Sequence, residues 1–466
     1  QHEQWKHSHH ALAQRPLNAA MDDPAFHPPR EIRHGSQTSR VALAPGAASQ
    51  PAAGDSLVGR YVLTTLGRDG VQDFTPVEAL GVAPLWQYLI PAPGGRLQVT
   101  ELAWDPAKAE WFNVYGDEDR QPHEWGHWSN RGMNWNSMCA TCHTTAFRKN
   151  YRSADDTYAS AWKEIGVGCE SCHGPSRAHV EWQRANRGRS GDPHMVRLNW
   201  DGYFQTCLAC HSRRADLTGA FIPGQYFTDH FRLILPDLTD TFWPDGQVRD
   251  EDFEGAPYSL SYMHDAGIRC IDCHSAHSGQ VLARDNSLCT RCHEQGIGSK
   301  MPIDPATHTF HEAGTPGSFC VDCHMPQTTY MQRHARRDHG MTIPDPLLTK
   351  EHGIPNACNR CHTDRDVNWA IGHLDHWRGS RMERPTRTRT RLLARVKASD
   401  FTAVPDLLKV LEAEKNPAWR GVIANFLAAA VQAPLDPALH KEIVTALMRQ
   451  LDDPSPIAQT AAIEAL

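Results

Sequence analysis

A five-residue pattern, Cys-x-x-Cys-His, occurs seven times between residues 139 and 362 and constrains the fold more than any other feature of the sequence. The chain has 14 cysteines, and the seven copies use all of them. The pattern is the attachment signature of c-type haem, in which both thiols bond to the haem and the adjacent histidine ligates the iron. We number the copies motif 1 to motif 7, and their cysteines are Cys139 and Cys142, Cys169 and Cys172, Cys207 and Cys210, Cys270 and Cys273, Cys289 and Cys292, Cys320 and Cys323, and Cys358 and Cys361.

Other uses of paired cysteines explain this pattern less well. A disulfide framework does not require a histidine after every second cysteine, and zinc knuckles usually lack that histidine. Thioredoxin-like redox motifs occur singly, near a βαβ pattern. We therefore predict seven covalently attached c-type haems, with the proximal iron ligands His143, His173, His211, His274, His293, His324 and His362.

Composition predicts how the haem region folds. Hydrophobic residues make up 40% of the chain and its mean hydropathy is −0.54, which is low for ordinary apolar cores. Flat apolar haems would replace side chains in the interior of residues 136–377, so we predict a heptahaem domain of irregular chain with short α-helices. The net charge of −7 leaves no excess of basic residues that would favour binding to nucleic acid. The sequence contains no run of 18 apolar residues, so we predict no transmembrane segment.

Two segments precede the haem region. Residues 1–57 are predicted to be a polar, His-rich segment and a linker, in which His10 is a candidate haem ligand. Residues 58–135 carry strand signals and are predicted to form a small β-rich module. One hairpin is expected around Asp69 and Gly70 and a second around Asp105 and Pro106.

Two more segments follow the haem region. Residues 378–401 hold seven arginines, for which we favour a solvated linker over a contact with haem propionates or an acidic partner. Residues 402–466 show paired amphipathic helices of HEAT-like texture, with Pro417, Pro437 and Pro456 near helix starts. Such repeats are a predicted docking surface, and the last one lacks the usual polar cap, so more chain or a partner is expected to cover it.

Covalent attachment of c-type haem takes place outside the cytoplasm. The sequence starts without the charged and apolar regions of a signal peptide, so we expect a mature chain after signal removal. The predicted location is the periplasm or the cell exterior.

The sixth iron position decides the chemistry, because a second histidine saturates the iron whereas an open position lets a substrate bind. The chain has 28 histidines, so 21 remain after the proximal seven. His277 follows His274 by three residues and His179 follows His173 by six, tethers too short to reach the far side of the same haem, so each is expected to ligate a neighbouring haem. Further distal candidates from spacing are His264, His308, His311 and His339.

Several segments resemble a family of secreted multihaem c-type cytochromes with helical repeats of the HEAT or TPR type. That family is distantly related to the tetrahaem cytochrome and hydroxylamine oxidoreductase of nitrification. The matching text is GVAPLWQYL at 81–89, NWNSMCATCH at 134–143, GVGCESCHGP at 166–175, CVDCHMP at 320–326 and PNACNRCH at 355–362. The resemblance implies electron transfer through closely packed haem pairs. It also implies distal histidines at positions corresponding to His10, His127, His179, His264, His277, His308 or His311, and His339; Gln14 departs from the expected Met.

These features predict an electron carrier with mostly bis-histidine haems, working with redox partners or as a self-assembled extracellular conduit. The alternative is a multihaem oxidoreductase acting on a small nitrogen or sulfur species at one open haem. A redox sensor that signals through the helical repeats is a third, less favoured hypothesis.

Overall fold

The computed structural model describes residues 1–47, 56–194, 198–296 and 302–466. Its first third is dominated by two antiparallel sheets, with strand orders β1-β6-β7-β8-β9 and β2-β3-β4-β5. The strands are β1 (Gln14–Pro16), β2 (Arg30–His34), β3 (Gln37–Leu43), β4 (Tyr61–Gly67), β5 (Gly70–Phe74), β6 (Glu78–Leu80), β7 (Trp86–Ala92), β8 (Arg96–Asp105) and β9 (Glu110–Asn113). Two helices accompany them, α1 (His2–Trp5) and α2 (Ala19–Phe26).

Both predicted hairpins are present. In the first, Gly67 pairs with Gly70, and in the second, Asp105 pairs with Glu110. The strand-rich unit nevertheless begins before the expected boundary, because β1, β2 and β3 lie within the segment predicted as a His-rich tail and linker. Burial alternates along β4, as expected for a strand with one face on a core. Part of the expected linker, residues 48–55, lies outside the described residues.

An aromatic side chain of α2 packs between the two sheets. Phe26 of α2 is fully buried, and its ring centre lies 4.7 Å from that of Tyr61 in β4 and 5.1 Å from that of Tyr88 in β7. Trp111 of β9 packs edge-on against the same ring at 5.4 Å. This aromatic core forms without cysteines, so the strand-rich unit folds around side chains and not around haem.

Residues 135–378 consist of short helices and two-stranded ribbons. The helices are α3 (Trp135–Met138), α4 (Ala140–His143), α5 (Glu170–His173), α6 (Arg177–Ala185), α7 (Trp200–Leu208), α8 (Phe227–His230), α9 (Gly255–Ser259), α10 (Tyr262–Asp265), α11 (Ser287–His293), α12 (Pro305–His308), α13 (Cys320–His324), α14 (Pro346–His352), α15 (Ala357–Cys361) and α16 (Val367–Arg378). The ribbons pair β10 (Thr144–Thr145) with β13 (Glu164–Ile165), β11 (Tyr151–Arg152) with β12 (Thr157–Tyr158), β14 (Arg214–Asp216) with β15 (Phe231–Leu233), and β16 (Gln327–Tyr330) with β17 (His334–Arg337).

The predicted Arg-rich linker is instead a buried helix, α17 (Pro385–Lys397). Its Arg387 donates to both carboxylate oxygens of Asp345, at 2.8 and 2.9 Å, and both side chains are about 5% exposed. Arg389 pairs with Glu414 and lies over the Trp419 ring at 3.5 Å. Charge runs usually mark solvated chain, but here carboxylates of this same chain pair with the guanidinium groups of Arg387 and Arg389.

Four further helices complete the chain: α18 (Val404–Ala413), α19 (Pro417–Val431), α20 (Pro437–Gln450) and α21 (Pro456–Ala465). Proline occupies the first turn of the last three, as predicted. They are not a separate unit, since they share one apolar core with residues 204–260. The Trp419 indole also donates to the Leu260 carbonyl oxygen at 2.8 Å. Their assignment to HEAT-type repeats stays a prediction. No helix in the described residues is long and apolar enough to span a membrane.

Candidate haem-binding site

Local backbone geometry brings the three functional side chains of each motif together. In five motifs, the amide of the histidine donates to the carbonyl of the first cysteine four residues earlier, with N···O distances of 2.8–3.2 Å at motifs 1, 2, 3, 4 and 7. The motif histidines His293 and His324 end helices α11 and α13. Residues three and four apart share one face of such a turn, so both thiols and the imidazole of each motif face the same side.

Polar residues start several of these turns. The Asn356 side chain accepts from the Asn359 amide at the start of α15, and Asn134 accepts from the Ser137 amide at the start of α3. A side-chain acceptor at this position satisfies an amide that has no partner within the helix. The caps therefore fix where motifs 7 and 1 begin.

All 14 cysteines are free of disulfides. Among the described residues, no three His, Cys, Asp or Glu side chains form a cluster able to hold a metal ion. Two free thiols beside each motif histidine are the groups that thioether attachment of a haem requires.

Five motif histidines lie opposite a second histidine ring at a nearly constant distance. The ring centres are 6.1 Å apart for His211 and His10, 6.3 Å for His173 and His277, and 6.4 Å for His274 and His339. They are 6.1 Å apart for His324 and His308, and 6.2 Å for His362 and His311.

This distance fits one metal ion between two imidazoles. With metal–nitrogen bonds of about 2.0–2.1 Å and about 1.1–1.2 Å from nitrogen to ring centre, opposed rings would stand about 6.2–6.6 Å apart. The five pairs therefore fit a haem iron held from both faces.

Hydrogen bonds orient the rings in the same way. Nδ1 of His324 and His311 donates to the carbonyl oxygens of Thr342 and Thr309, at 2.8 and 2.7 Å. Nδ1 of His339 donates to the Arg337 carbonyl and Nδ1 of His143 to the Ala13 carbonyl, both at 2.9 Å. A bond at Nδ1 leaves Nε2 free for a metal, as is usual for ligating histidines.

Burial keeps several of these rings neutral, the form that binds a metal. It lowers the pKa of His10, His274 and His324, and a second histidine beside each ring adds to the effect. Burial also lowers the pKa of His308 to about 4.

One ring departs from this pattern. Glu254 accepts a hydrogen bond from Nδ1 of His211 at 3.2 Å. Burial lowers the pKa of His211, but the hydrogen bond and charge of Glu254 outweigh it and leave that pKa raised.

Three distal candidates lie outside the five pairs. His127 is fully buried, with Nδ1 bonded to the Ser129 hydroxyl at 2.8 Å, and its Nε2 has no hydrogen-bond partner within the described residues. Nδ1 of His179 lies 2.7 Å from a carboxylate oxygen of Asp192, and His264 packs against the Phe204 ring at 5.1 Å. Within the described residues, no second histidine ring stands at the paired distance from His143 or His293.

The thiols of different motifs adjoin one another along the chain of motifs. Direct thiol contacts join Cys142 to Cys210, Cys207 to Cys270, and Cys289 to Cys320. Electrostatic proximity extends the series to three further groups, namely Cys172 with Cys207 and Cys210, Cys273 with Cys289 and Cys292, and Cys323 with Cys358 and Cys361. Motifs 1, 3, 4, 5, 6 and 7 therefore follow one another in space, and motif 2 adjoins motif 3.

Thiol pairs, each with an adjoining histidine and arranged in one continuous series, define a multihaem c-type cytochrome, and comparison with known proteins supports this class. The family model described as cytochrome c554 and c-prime matches residues 113–174, which include motifs 1 and 2.

Two relatives extend the likeness. The multihaem cytochrome MtrA of Shewanella baltica (strain OS185) is 22% identical over 255 residues, which are 52% of this chain and 55% of that protein. The chain thus spans about half the length of this relative. The outer cell wall cytochrome OcwA, known from a crystal structure, superposes with a TM-score of 0.52 at 17% identity, covering 99% of this chain and 96% of that one. At such low identity the superposition establishes a shared fold.

Proposed function

We propose that this chain is a seven-haem electron carrier that works outside the cytoplasm, with at least five of its haems ligated by two histidines. The observation that carries the proposal is the set of five histidine pairs at 6.1–6.4 Å. When bound, a haem held in this way supplies an iron that changes oxidation state without opening to substrate.

The residues of this chain would hold that group in defined ways. The cysteine pairs would attach it, and the five pairs would supply axial ligands from His10, His277, His339, His308 and His311 opposite the histidines of motifs 3, 2, 4, 6 and 7. The backbone carbonyls at Nδ1 would fix the rings. Axial ligands that do not move between oxidation states keep the reorganisation during electron transfer small.

Continuity between motifs supports a conducting role over seven isolated redox groups. Thiol contacts join motifs 1, 3 and 4, and motifs 5 and 6. Redox partners or further copies of the chain would exchange electrons at the ends of this series, at motifs 1 and 7. The C-terminal helices are proposed as a docking surface for such a partner.

Replacement of His277 by Ala tests the ligation. We expect the wild-type protein to be low-spin at five or more of its haems, and His277→Ala to convert one further haem to a high-spin form that binds carbon monoxide. His376→Ala is the matched control, since this exposed histidine of α16 belongs to no pair. EPR and carbon monoxide difference spectra would give the counts. A mainly high-spin wild-type protein, or a His277→Ala spectrum identical to the wild type, would contradict the proposal.

A second candidate function is reduction or oxidation of a small nitrogen or sulfur species at an open haem. It is favoured by His143 and His293, which have no second histidine ring at the paired distance in the described chain. If the reduced protein binds nitrite and passes electrons to it, this function holds alongside conduction. Spectra that neither nitrite nor carbon monoxide changes would eliminate it.

A further inference from the structure

The pair formed by His10 and His211 differs from the others in its surroundings. Glu254 places a carboxylate on Nδ1 of His211, whereas the paired histidines His10, His274, His311, His324 and His339 meet backbone carbonyls at Ala276, Gly279, Thr309, Thr342 and Arg337. We propose that Glu254 is a positioning residue that lowers the reduction potential of the haem at motif 3, through its hydrogen bond to the His211 ligand. This inference rests on the proposed function.

The backbone around Glu254 holds the carboxylate in place. Glu254 directly precedes α9, a helix whose five residues are all buried. The amide of Gly255 donates to the carbonyl of His211 at 2.7 Å, which ties the two segments together. A side chain at Gly255 would put its Cβ 2.8 Å from that carbonyl oxygen, so only glycine allows this close approach.

The carboxylate of Glu254 forms an ion pair with the ring of His211. Among the described residues, its ion-pair partner is His211, and no lysine or arginine nitrogen lies within 4.0 Å of its carboxylate. Neighbouring carboxylates differ in this respect, since Glu251 pairs with Arg336 at 2.9 Å and Asp250 pairs with Arg213 at 3.8 Å. The negative charge of Glu254 therefore acts on the His211 imidazole through a hydrogen bond, and only through space on His339 and His274.

A carboxylate at Nδ1 makes the ligand more basic than a carbonyl does. A more electron-rich imidazole stabilises ferric over ferrous iron, and second-shell hydrogen bonding is a recognised means of setting a haem potential. The thiols of motif 3 adjoin those of motifs 1, 2 and 4, so its potential affects electron transfer among these motifs.

The test is Glu254→Gln, which keeps the size and an acceptor oxygen but removes the charge. We expect the midpoint potential of one haem to rise by about 59 mV, equivalent to a tenfold change in its reduction equilibrium. The rings of His10 and His211 stand at 80°, and near-perpendicular axial imidazoles give a highly anisotropic low-spin EPR signal that identifies this haem. Potentiometric titration followed by EPR therefore reports on motif 3 separately.

Glu251→Gln is the control, because it removes a carboxylate three residues away that is paired with Arg336 and does not touch His211. An unchanged potential of the motif 3 haem in Glu254→Gln, or an equal shift of that same haem in Glu251→Gln, would overturn the inference. If the wild-type protein itself lacks the low-spin signal expected for motif 3, the proposed ligation is wrong. This result differs from an unchanged potential in Glu254→Gln, so the two failures are distinguishable.

Discussion

Glu101 is a buried acid in the strand-rich unit, away from the histidine pairs. It lies on β8, is 2% exposed, and neither carboxylate oxygen has a hydrogen-bond partner among the described residues. Its nearest basic group is Nδ1 of His34 at 3.6 Å, too far for a hydrogen bond. Burial raises the pKa of Glu101 to about 7, although the charge of Arg120 opposes the shift.

This raised pKa predicts that stability falls as pH increases. The folded chain binds more protons than the unfolded chain between the ordinary value of 4.5 and about 7, so the destabilisation grows over that interval and is complete above it. We expect Glu101→Gln to be more stable than the wild type above pH 7, by up to about 3 kcal/mol, and to match it below pH 4.5. Thermal unfolding followed by circular dichroism between pH 4 and 8 measures this. Glu31→Gln, on the exposed side of β2, should not change the pH profile, and a parallel profile for Glu101→Gln would refute the prediction.

At the residue scale, the sequence revealed the seven Cys-x-x-Cys-His motifs but only part of their surroundings. Short tethers predicted that His277 would serve a neighbouring motif, and its ring lies opposite His173 and not His274. Ligation itself stays a prediction. Spacing could not separate His264 and His179, which stand outside the pairs, from His308 and His311. Nothing in the acidic run around Glu254 indicated contact with His211, because that contact joins residues 43 apart.

Helix α16 follows motif 7 in the sequence and packs against the loop that carries the distal candidates His308 and His311. Phe310 lies between His308 and His311, and its ring stacks on Trp377 with centres 4.5 Å apart and planes within 7°. Arg378 donates to the His308 carbonyl at 2.5 Å. Phe310 also has a φ of 56°, unfavourable for a bulky side chain, so the stack must help to hold the loop.

We therefore expect Trp377→Ala to loosen both His308 and His311. The lost stacking is worth about 0.5–1.5 kcal/mol beyond the buried area, enough to populate a loop state with free ligands. The expected result is a partial high-spin signal and carbon monoxide binding at two haems, those of motifs 6 and 7. Phe310→Ala should do the same, and the double variant should add little, since both remove one interaction. Additive effects, or an unchanged spin state, would contradict this assignment.

Local patterns predicted elements well where the signal was local. Turn residues correctly predicted both hairpins, and proline residues correctly predicted the starts of α19, α20 and α21. Helix α17 was missed because an arginine run normally stays in solvent. Its burial depends on Asp345 and Glu414, carboxylates 42 and 25 residues distant, and no local pattern reports such partners.

For the whole molecule, the order of motifs in space could not be predicted. Each motif specifies one attachment site, but contacts between sites depend on how irregular chain folds back. Cys142 meets Cys210 across 68 residues, so the thiols of motif 1 adjoin those of motif 3 although motif 2 lies between them in the sequence. Likewise, the C-terminal helices share a core with residues 204–260, so they brace the chain between motifs 3 and 4.

This order predicts that motifs differ in importance for conduction. Motif 5 lies in the series between motifs 4 and 6. Motif 2 is a branch that adjoins motif 3 and is not a step between two other motifs of the series. Replacing Cys289 and Cys292 by Ala should therefore interrupt the series, and replacing Cys169 and Cys172 should leave it continuous. Each double variant loses one haem, so the two are matched in composition.

Pulse radiolysis that delivers one electron per molecule would distinguish them, with redistribution among haems followed by absorbance and EPR. We expect a single fast redistribution in the wild type and in the variant without motif 2. The variant without motif 5 should show a fast phase within each half and a slow phase between the halves, because the gap between motifs 4 and 6 is then the longest step. A slow phase in the variant without motif 2, or its absence in the variant without motif 5, would show that electrons do not follow the thiol series.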